Sequence, residues 1–273
     1  MPEIVAVPDR DDAWRVGDVE FVAGISNNST RGRFSIQKDA RLIGLYKSLC
    51  PEFVGARIVE LGIADGGSTA LLALALQPSK LVACDIEPEP RPGLTALIDE
   101  HDLADAVRPC HGIDQADASR LSTLLDVEFG DEALDLVIDD ASHRYEPTVR
   151  SFEVLFPRLR PDGLFVVEDW AADHYFARGI VRAIREATDS RREELGRLLA
   201  DAKRKQEENG VATTPLSRLA LELMLASVFS PHAVASVSMN DNWLSVRRGD
   251  GALTRGAFRV LDLYADHFGW FED

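Results

Sequence analysis

The sequence predicts an α/β protein in which a parallel sheet is covered by helices on both faces. Three observations predict it: short continuous apolar runs alternate with stretches of helical period, the first run opens onto Gly66-Gly67-Ser68, and later runs end on acidic residues.

The first 35 residues, with Asn27-Asn28-Ser29-Thr30 and Arg31-Gly32-Arg33, read as an irregular arm, and order is expected from Phe34 onward. Leu42, Ile43, Tyr46 and Leu49 repeat at helical spacing, and Pro51 is expected to stop that helix. Residues 1–50 are therefore an N-terminal arm and helix, ahead of one domain over 51–273. Arg57 to Leu61 is the first strand, Ser68 is placed to cap a helix from Ala70 to Gln77, and Leu81 to Ile86 is the second strand. Val107 to Cys110 is the third strand, Ala118 to Leu125 a helix, and Leu134 to Ile138 the fourth strand. Pro147 sits in the first turn of a helix whose Val149, Phe152, Phe156 and Leu159 share a face. Pro161-Asp162-Gly163 reads as a turn before a fifth strand from Leu164 to Val167. A strongly charged helical insertion covers about 176–228. Ala233 to Met239 and Trp243 to Arg247 form a closing antiparallel hairpin around Asn240-Asp241-Asn242, and a last helix runs from Gly256 to Phe268.

A chain of 273 residues, 45% of them hydrophobic, can bury a full core. Its formal charge of -16 argues against nucleic acid or an anionic membrane as partner, because both require a positive face. Asp9, Arg10, Asp11 and Asp12 interrupt the first apolar stretch, so neither a secretory leader nor a membrane span is expected, and a cytoplasmic location is. Cys50, Cys84 and Cys110 are odd in number and lack paired spacing, which predicts free thiols. Five lysines against 25 arginines is a bias of GC-rich bacterial genomes.

In such a fold ligands bind beyond the carboxyl ends of the strands. Those ends carry Gly62, Asp85, Gly112, Asp139-Asp140 and Glu168-Asp169. Gly62 lets backbone approach a ligand, and the helix after Gly66-Gly67-Ser68 offers its amides. A strict dinucleotide fingerprint would need glycine where Ala64 stands. Asp85, or alternatively Glu87, is placed to accept ribose hydroxyls. The stretch E-L-G-I-A-D-G-G-S-T resembles motif I of class I S-adenosylmethionine-dependent methyltransferases. That resemblance implies a Rossmann-like, mostly parallel seven-stranded sheet with the insertion after strand five, and S-adenosylmethionine as cofactor. It puts Glu60 and Gly62 beside the methionine part, with Ser68 in the same loop, and Asp85 on the ribose. The loop with Asp114 and Gln115 resembles the one near the adenine or amino-acid end in some members, and reads equally as a polar turn capping the next helix.

Asp139-Asp140-Ala141-Ser142-His143 and Glu168-Asp169 bring several carboxylates and one imidazole to one rim. Like charges so placed call for a cation, and an all-oxygen set suits magnesium. Taken singly, Asp139 or Asp140 could cap the next helix and Glu168 could pair with an arginine. D-D-A-S-H and V-E-D-W resemble the magnesium-dependent sugar O-methyltransferases of macrolide biosynthesis and, more loosely, cephalosporin hydroxylase-like proteins. The resemblance covers about Arg57 to Trp170. It implies Asp140, Glu168 and Asp169 as Mg2+ ligands and His143 as general base, with Asp139 the alternative to Asp140. His111 and His174 are secondary candidates, and Trp170 and Tyr145 are placed to line an acceptor pocket.

The implied function is methylation of a sugar hydroxyl, on a glycosylated natural product or on an oligosaccharide or polysaccharide precursor such as actinobacteria make. The alternatives are a catechol-type or hydroxylase-like relative acting on a non-sugar acceptor, and a non-catalytic cofactor-binding scaffold. The partner is a small-molecule or oligosaccharide acceptor, and family habit with the charged insertion implies a homodimer.

Overall fold

A computed structural model describes residues 3–25, 28–208, 214–240 and 242–264. The stretch expected to be an irregular arm is a four-stranded sheet, ordered β1 (Val5–Ala6), β2 (Ala13–Val16), β3 (Val19–Ala23) and β4 (Arg33–Ile36). Order thus begins well before Phe34. The cause is alternation: Trp14, Val16, Val19 and Phe21 face inward, and Gly17-Asp18 joins β2 to β3 with Val16 opposite Val19. β4 adds parallel to β3. Phe21 and Phe34 stack at 5.9 Å and share a core with Leu42, Tyr46, Leu71 and Leu72.

Asp39 caps α1 (Ala40–Phe53) by accepting from the Leu42 amide at 2.8 Å. Pro51 does not stop this helix. It forgoes one intrahelical hydrogen bond, yet the helix continues two residues past it to Phe53, which is buried in the core.

The second sheet holds β5 (Arg57–Leu61), β6 (Lys80–Asp85), β7 (Val107–His111), β8 (Leu134–Asp139), β9 (Leu159–Glu168), β10 (Val234–Met239) and β11 (Trp243–Arg248). Its order is β10-β11-β9-β8-β5-β6-β7, parallel from β9 to β7, with β11 antiparallel to both its neighbours. The expected seven strands and closing hairpin are therefore present. Alternate residues feed two layers: Ile58, Leu81 and Leu136 join the core under the first sheet, while Val59, Val82 and Val137 join the opposite one.

Helices α2 (Gly67–Leu76), α3 (Pro92–Glu100), α4 (Ala118–Phe129) and α5 (Tyr145–Leu155) cover the faces. The sequence reading lacked α3, which starts at Pro92, a residue suited to a first turn. Ser68 does not cap α2. Gly66 holds that position with a φ of +90°, and Ser68 lies inside the helix. Pro161-Asp162-Gly163 is looped out of a continuous β9, since pairing with β8 jumps from Leu159 to Leu164. The insertion forms α6 (Ala172–Glu186), α7 (Asp189–Glu208) and α8 (Ser217–Phe229). Where a final helix was expected, a short 3-10 turn spans Val260–Leu263, and the rest of that expectation lies outside the described residues. Among the described residues no helix is long and apolar enough to cross a membrane, and the three cysteines are free thiols.

Candidate active site

Strand order reverses direction about β5: the chain runs from β5 outward to β6 and β7, then returns to β8 on the other side. The crevice between β5 and β8 is the place where such sheets bind ligands. Here Gly62 (φ +95°) meets the Asp140 backbone so closely that an added Cβ would lie 2.3 Å from its carbonyl oxygen. Gly67 plays the same part toward the first sheet, with Ser35 O at 2.2 Å from an added Cβ. β4 of the first sheet therefore rests directly on the start of α2.

Two cavities meet at this corner, at Ala64, Asp140 and Ala141. One, of about 230 Å³, is lined by Gly62, Asp85, Glu87 and Asp114 together with Ile86 and Ile113. Ile86 is 62% exposed, an apolar side chain left open where a flat ring could cover it. Asp85 holds the turn from below: Oδ2 accepts from the amides of Ile63 and Ala64, at 2.8 and 2.9 Å, and Oδ1 from Glu87 N. Glu87 and Asp114 are the exposed carboxylates of this cavity. Asp114 accepts from Ala116 N, while Asp117 caps α4. Gln115 joins two loops, donating to Asp139 and Ser151 and accepting from Ser142 N at 2.9 Å. These residues offer carboxylates, backbone and an apolar slot, a donor set that fits an adenosine group.

The other cavity, about 250 Å³, is lined by Gln37, Lys38, Ser68, Asp140, His143 and Asp169 among others. Asp140, His143 and Asp169 offer ligand atoms that all lie within 4.8 Å of one another. Oxygens of two aspartates suit a hard divalent cation that keeps water and substrate oxygens as its other ligands. His143 Nε2 is 3.9 Å from Asp140 Oδ1. Ala64, His143 and Asp169 all take left-handed φ, at 48°, 53° and 52°, a concentration of backbone strain at one corner. Asp139 points away. It is fully buried, bonded to Gln115 and Ser151, and burial pushes its carboxyl up to about 6.

Glu168 does not join the three. Its Oε2 accepts from Lys38 Nζ at 2.8 Å and its Oε1 from the Tyr46 hydroxyl. Burial alone would lower the Lys38 ammonium; the charges of Asp140 and Glu168 outweigh it and hold Lys38 well above its ordinary range. Tyr145 donates to Glu222 on α8, Trp170 to Asn240 O, and His174 pairs with Ser217, so none of the three lines either cavity. His111 ends β7 and likewise lines neither.

Sequence reasoning missed Lys38, Gln37 and Asn242. The first two lie between the expected arm and the helix after it, where no motif singles them out. Asn242, read as turn, fixes Asp169 by donating to its Oδ1 at 2.8 Å and accepting from its amide.

Glu60 also lines neither cavity. It is fully buried beneath α2, where Thr69 donates to Oε2 at 2.6 Å and Oε1 has no partner. Burial pushes its carboxyl from 4.5 up to about 7, against the Ser68 and Thr69 hydroxyls. The folded chain thus binds this proton more tightly than the unfolded one. Glu60 should therefore weaken folding as pH rises from 4.5 to about 7, by on the order of 3 kcal/mol. Urea denaturation across that window should show a flatter profile for Glu60→Gln. Parallel profiles would refute the shift.

Residues 59–170 match a family model described as "Methyltransferase domain" (Methyltransf_24). Two curated relatives match short segments. The 8-demethyl-8-alpha-L-rhamnosyl tetracenomycin-C 2'-O-methyltransferase of Streptomyces olivaceus is 43% identical over 60 residues, 22% of this chain and 16% of that protein. The demethylmacrocin O-methyltransferase of Streptomyces fradiae is 56% identical over 39 residues, 14% of this chain and 10% of that protein. Among solved structures, the MycE methyltransferase of the mycinamycin biosynthetic pathway, in complex with Mg, SAH and mycinamycin VI, aligns with a TM-score of 0.50 at 20% identity. That alignment covers 77% of this chain and 49% of MycE, so the chain spans about half of that neighbour's length. The family match begins inside β5 and ends just past β9, taking in both cavities' strand ends. Within this Rossmann-like α/β fold, residues 59–170 are thus similar to a methyltransferase domain.

Proposed function

We propose that this chain is an S-adenosylmethionine- and Mg2+-dependent O-methyltransferase acting on a sugar hydroxyl of an oligosaccharide or polysaccharide precursor, or of a glycosylated natural product. The observation that carries the reading is the junction of the two cavities: Ala64, Asp140 and Ala141 line both. A donor held beside Gly62, Asp85, Glu87, Asp114 and Gln115 would thus face the corner of Asp140, His143 and Asp169.

In this reading Asp140 and Asp169 hold the metal, which when bound orients acceptor hydroxyls and makes them more acidic. His143 takes the proton of the attacking hydroxyl as its oxygen bonds to the methyl carbon and the carbon–sulfur bond breaks in line. Gly62 and Ala64 offer backbone to the donor, and Ser68 lines the acceptor side. The names of the two curated relatives, both O-methyltransferases and one acting on a rhamnosyl compound, support a sugar acceptor. The Mg and SAH of the MycE complex support the cofactor pair. A homodimer belongs to the proposal and draws support from Leu221, Met224, Val228 and Phe229, apolar side chains that α8 leaves exposed.

Labelled S-adenosylmethionine with a panel of mono- and disaccharides should yield S-adenosylhomocysteine and a methylated sugar, with activity lost to chelator and restored by Mg2+. Turnover indifferent to chelator would remove the metal from the mechanism. Absence of S-adenosylhomocysteine binding in calorimetry would remove the donor.

A further inference from the structure

Lys38 brings a positive charge into the wall of the metal-binding corner. Its side chain is 3% exposed, and its ammonium donates to Asp140 Oδ2 and Glu168 Oε2, each at 2.8 Å. The same nitrogen lies 5.2 Å from the centre of the Tyr46 ring. The Tyr46 hydroxyl takes the other Glu168 oxygen, so both oxygens of that carboxylate are engaged and Glu168 lines neither cavity. Asp169, the next residue, is turned by its left-handed φ into the cavity that Glu168 does not reach.

We propose that Lys38 is the resident cation of this centre: it withdraws Glu168 from the ligand set and leaves a divalent ion to Asp140 and Asp169. This inference rests on the metal-dependent reading above. Charge supports it. Asp140, Glu168 and Asp169 carry three negative charges; Lys38 reduces them to two, which one dication balances, whereas three carboxylates alone would overshoot. Coordination supports it as well, because magnesium is commonly bound through one or two carboxylates with water and substrate oxygens completing the shell. Asp140 is shared, with Oδ2 toward Lys38 and Oδ1 toward His143.

Lys38 and Tyr46 both come from the first 50 residues, Lys38 just before the α1 cap at Asp39 and Tyr46 on that helix. Lys38 is therefore a positioning residue supplied from outside the stretch that matches the methyltransferase family.

The test is Mn2+ binding, read by the electron paramagnetic resonance signal of free Mn2+, alongside calorimetry of S-adenosylhomocysteine. Glu168→Gln should bind Mn2+ within about threefold of the native chain, while Asp140→Asn and Asp169→Asn should each lose about tenfold or more. Lys38→Met, which releases Glu168, should tighten Mn2+ binding by about tenfold. Should that variant fail to fold around an unpaired carboxylate, the Lys38→Met/Glu168→Gln pair removes both charges together. The pair should bind Mn2+ and S-adenosylhomocysteine as the native chain does. A loss of about tenfold or more in Mn2+ affinity for Glu168→Gln, with S-adenosylhomocysteine binding intact, would make Glu168 a ligand and overturn the proposal while leaving metal dependence standing. A native chain that binds S-adenosylhomocysteine and not Mn2+ would overturn both.

Discussion

Replacing His143 by alanine should lower turnover by about 10²- to 10⁴-fold and leave affinity for S-adenosylhomocysteine unchanged. The imidazole lines the cavity that holds Asp140 and Asp169, and it lines no part of the one beside Asp85. Removing it takes away a proton acceptor without touching the donor's contacts. The backbone adds a complication, since His143 has a φ of +53° and alanine tolerates that conformation less well. His143→Asn, which accepts left-handed φ, separates the two effects: it should restore folding stability and not turnover. Rates from single-turnover methyl transfer decide the matter. A turnover within about threefold of the native rate in both variants would end the assignment of His143 as base.

Gly62→Ala should remove donor binding and destabilise the fold together. The new Cβ would lie 2.3 Å from Asp140 O and 2.8 Å from Asp140 C, and both are backbone atoms that cannot swing aside. The loops after β5 and β8 would have to part, on top of the penalty for a non-glycine residue at φ +95°. Overpacking and backbone strain together come to about 2–6 kcal/mol, a large share of a domain's stability. Gly55 supplies the control, with φ +73° and nothing within 4 Å of an added Cβ. Gly55→Ala should lose about 1–2 kcal/mol in urea denaturation and keep donor affinity. Equal losses at the two positions would show that strain, and not the approach of the loops, makes glycine necessary at 62.

The central sheet was legible because buried parallel strands are continuous apolar runs, and those at 57–61 and 134–139 have little else to become. Gly62 and Asp85 were legible for a related reason, since strand ends and turns restrict residue types severely. Asp85 also shows the limit: its position was readable, its bonds to Ile63 and Ala64 were not. The N-terminal sheet was missed although its signal was present. Gly17-Asp18 between two alternating apolar pairs is a hairpin pattern, masked by the polar runs at 9–12 and 27–33. Lys38 and Asn242 could not be assigned from sequence, because each matters through a partner more than 70 positions away, Asp140 and Asp169 respectively. Glu168 and Asp169 are adjacent and look alike in sequence. Only the backbone turn at Asp169 sends one carboxylate to a lysine and the other to the cavity.

Because the Ser35 carbonyl rests on Gly67 and the Ser29 carbonyl on Gly93, the first 50 residues are not a removable module. A chain cut at residue 50 would keep every strand of the larger sheet yet bare the apolar side of α2 and lose Gln37 and Lys38 from the cavity wall. Exchange of segments between chains of this fold, whether by recombination or by design, would therefore succeed only when the junction carries the strand and the glycine it touches as one unit. The heritable piece is larger than the stretch that family resemblance outlines.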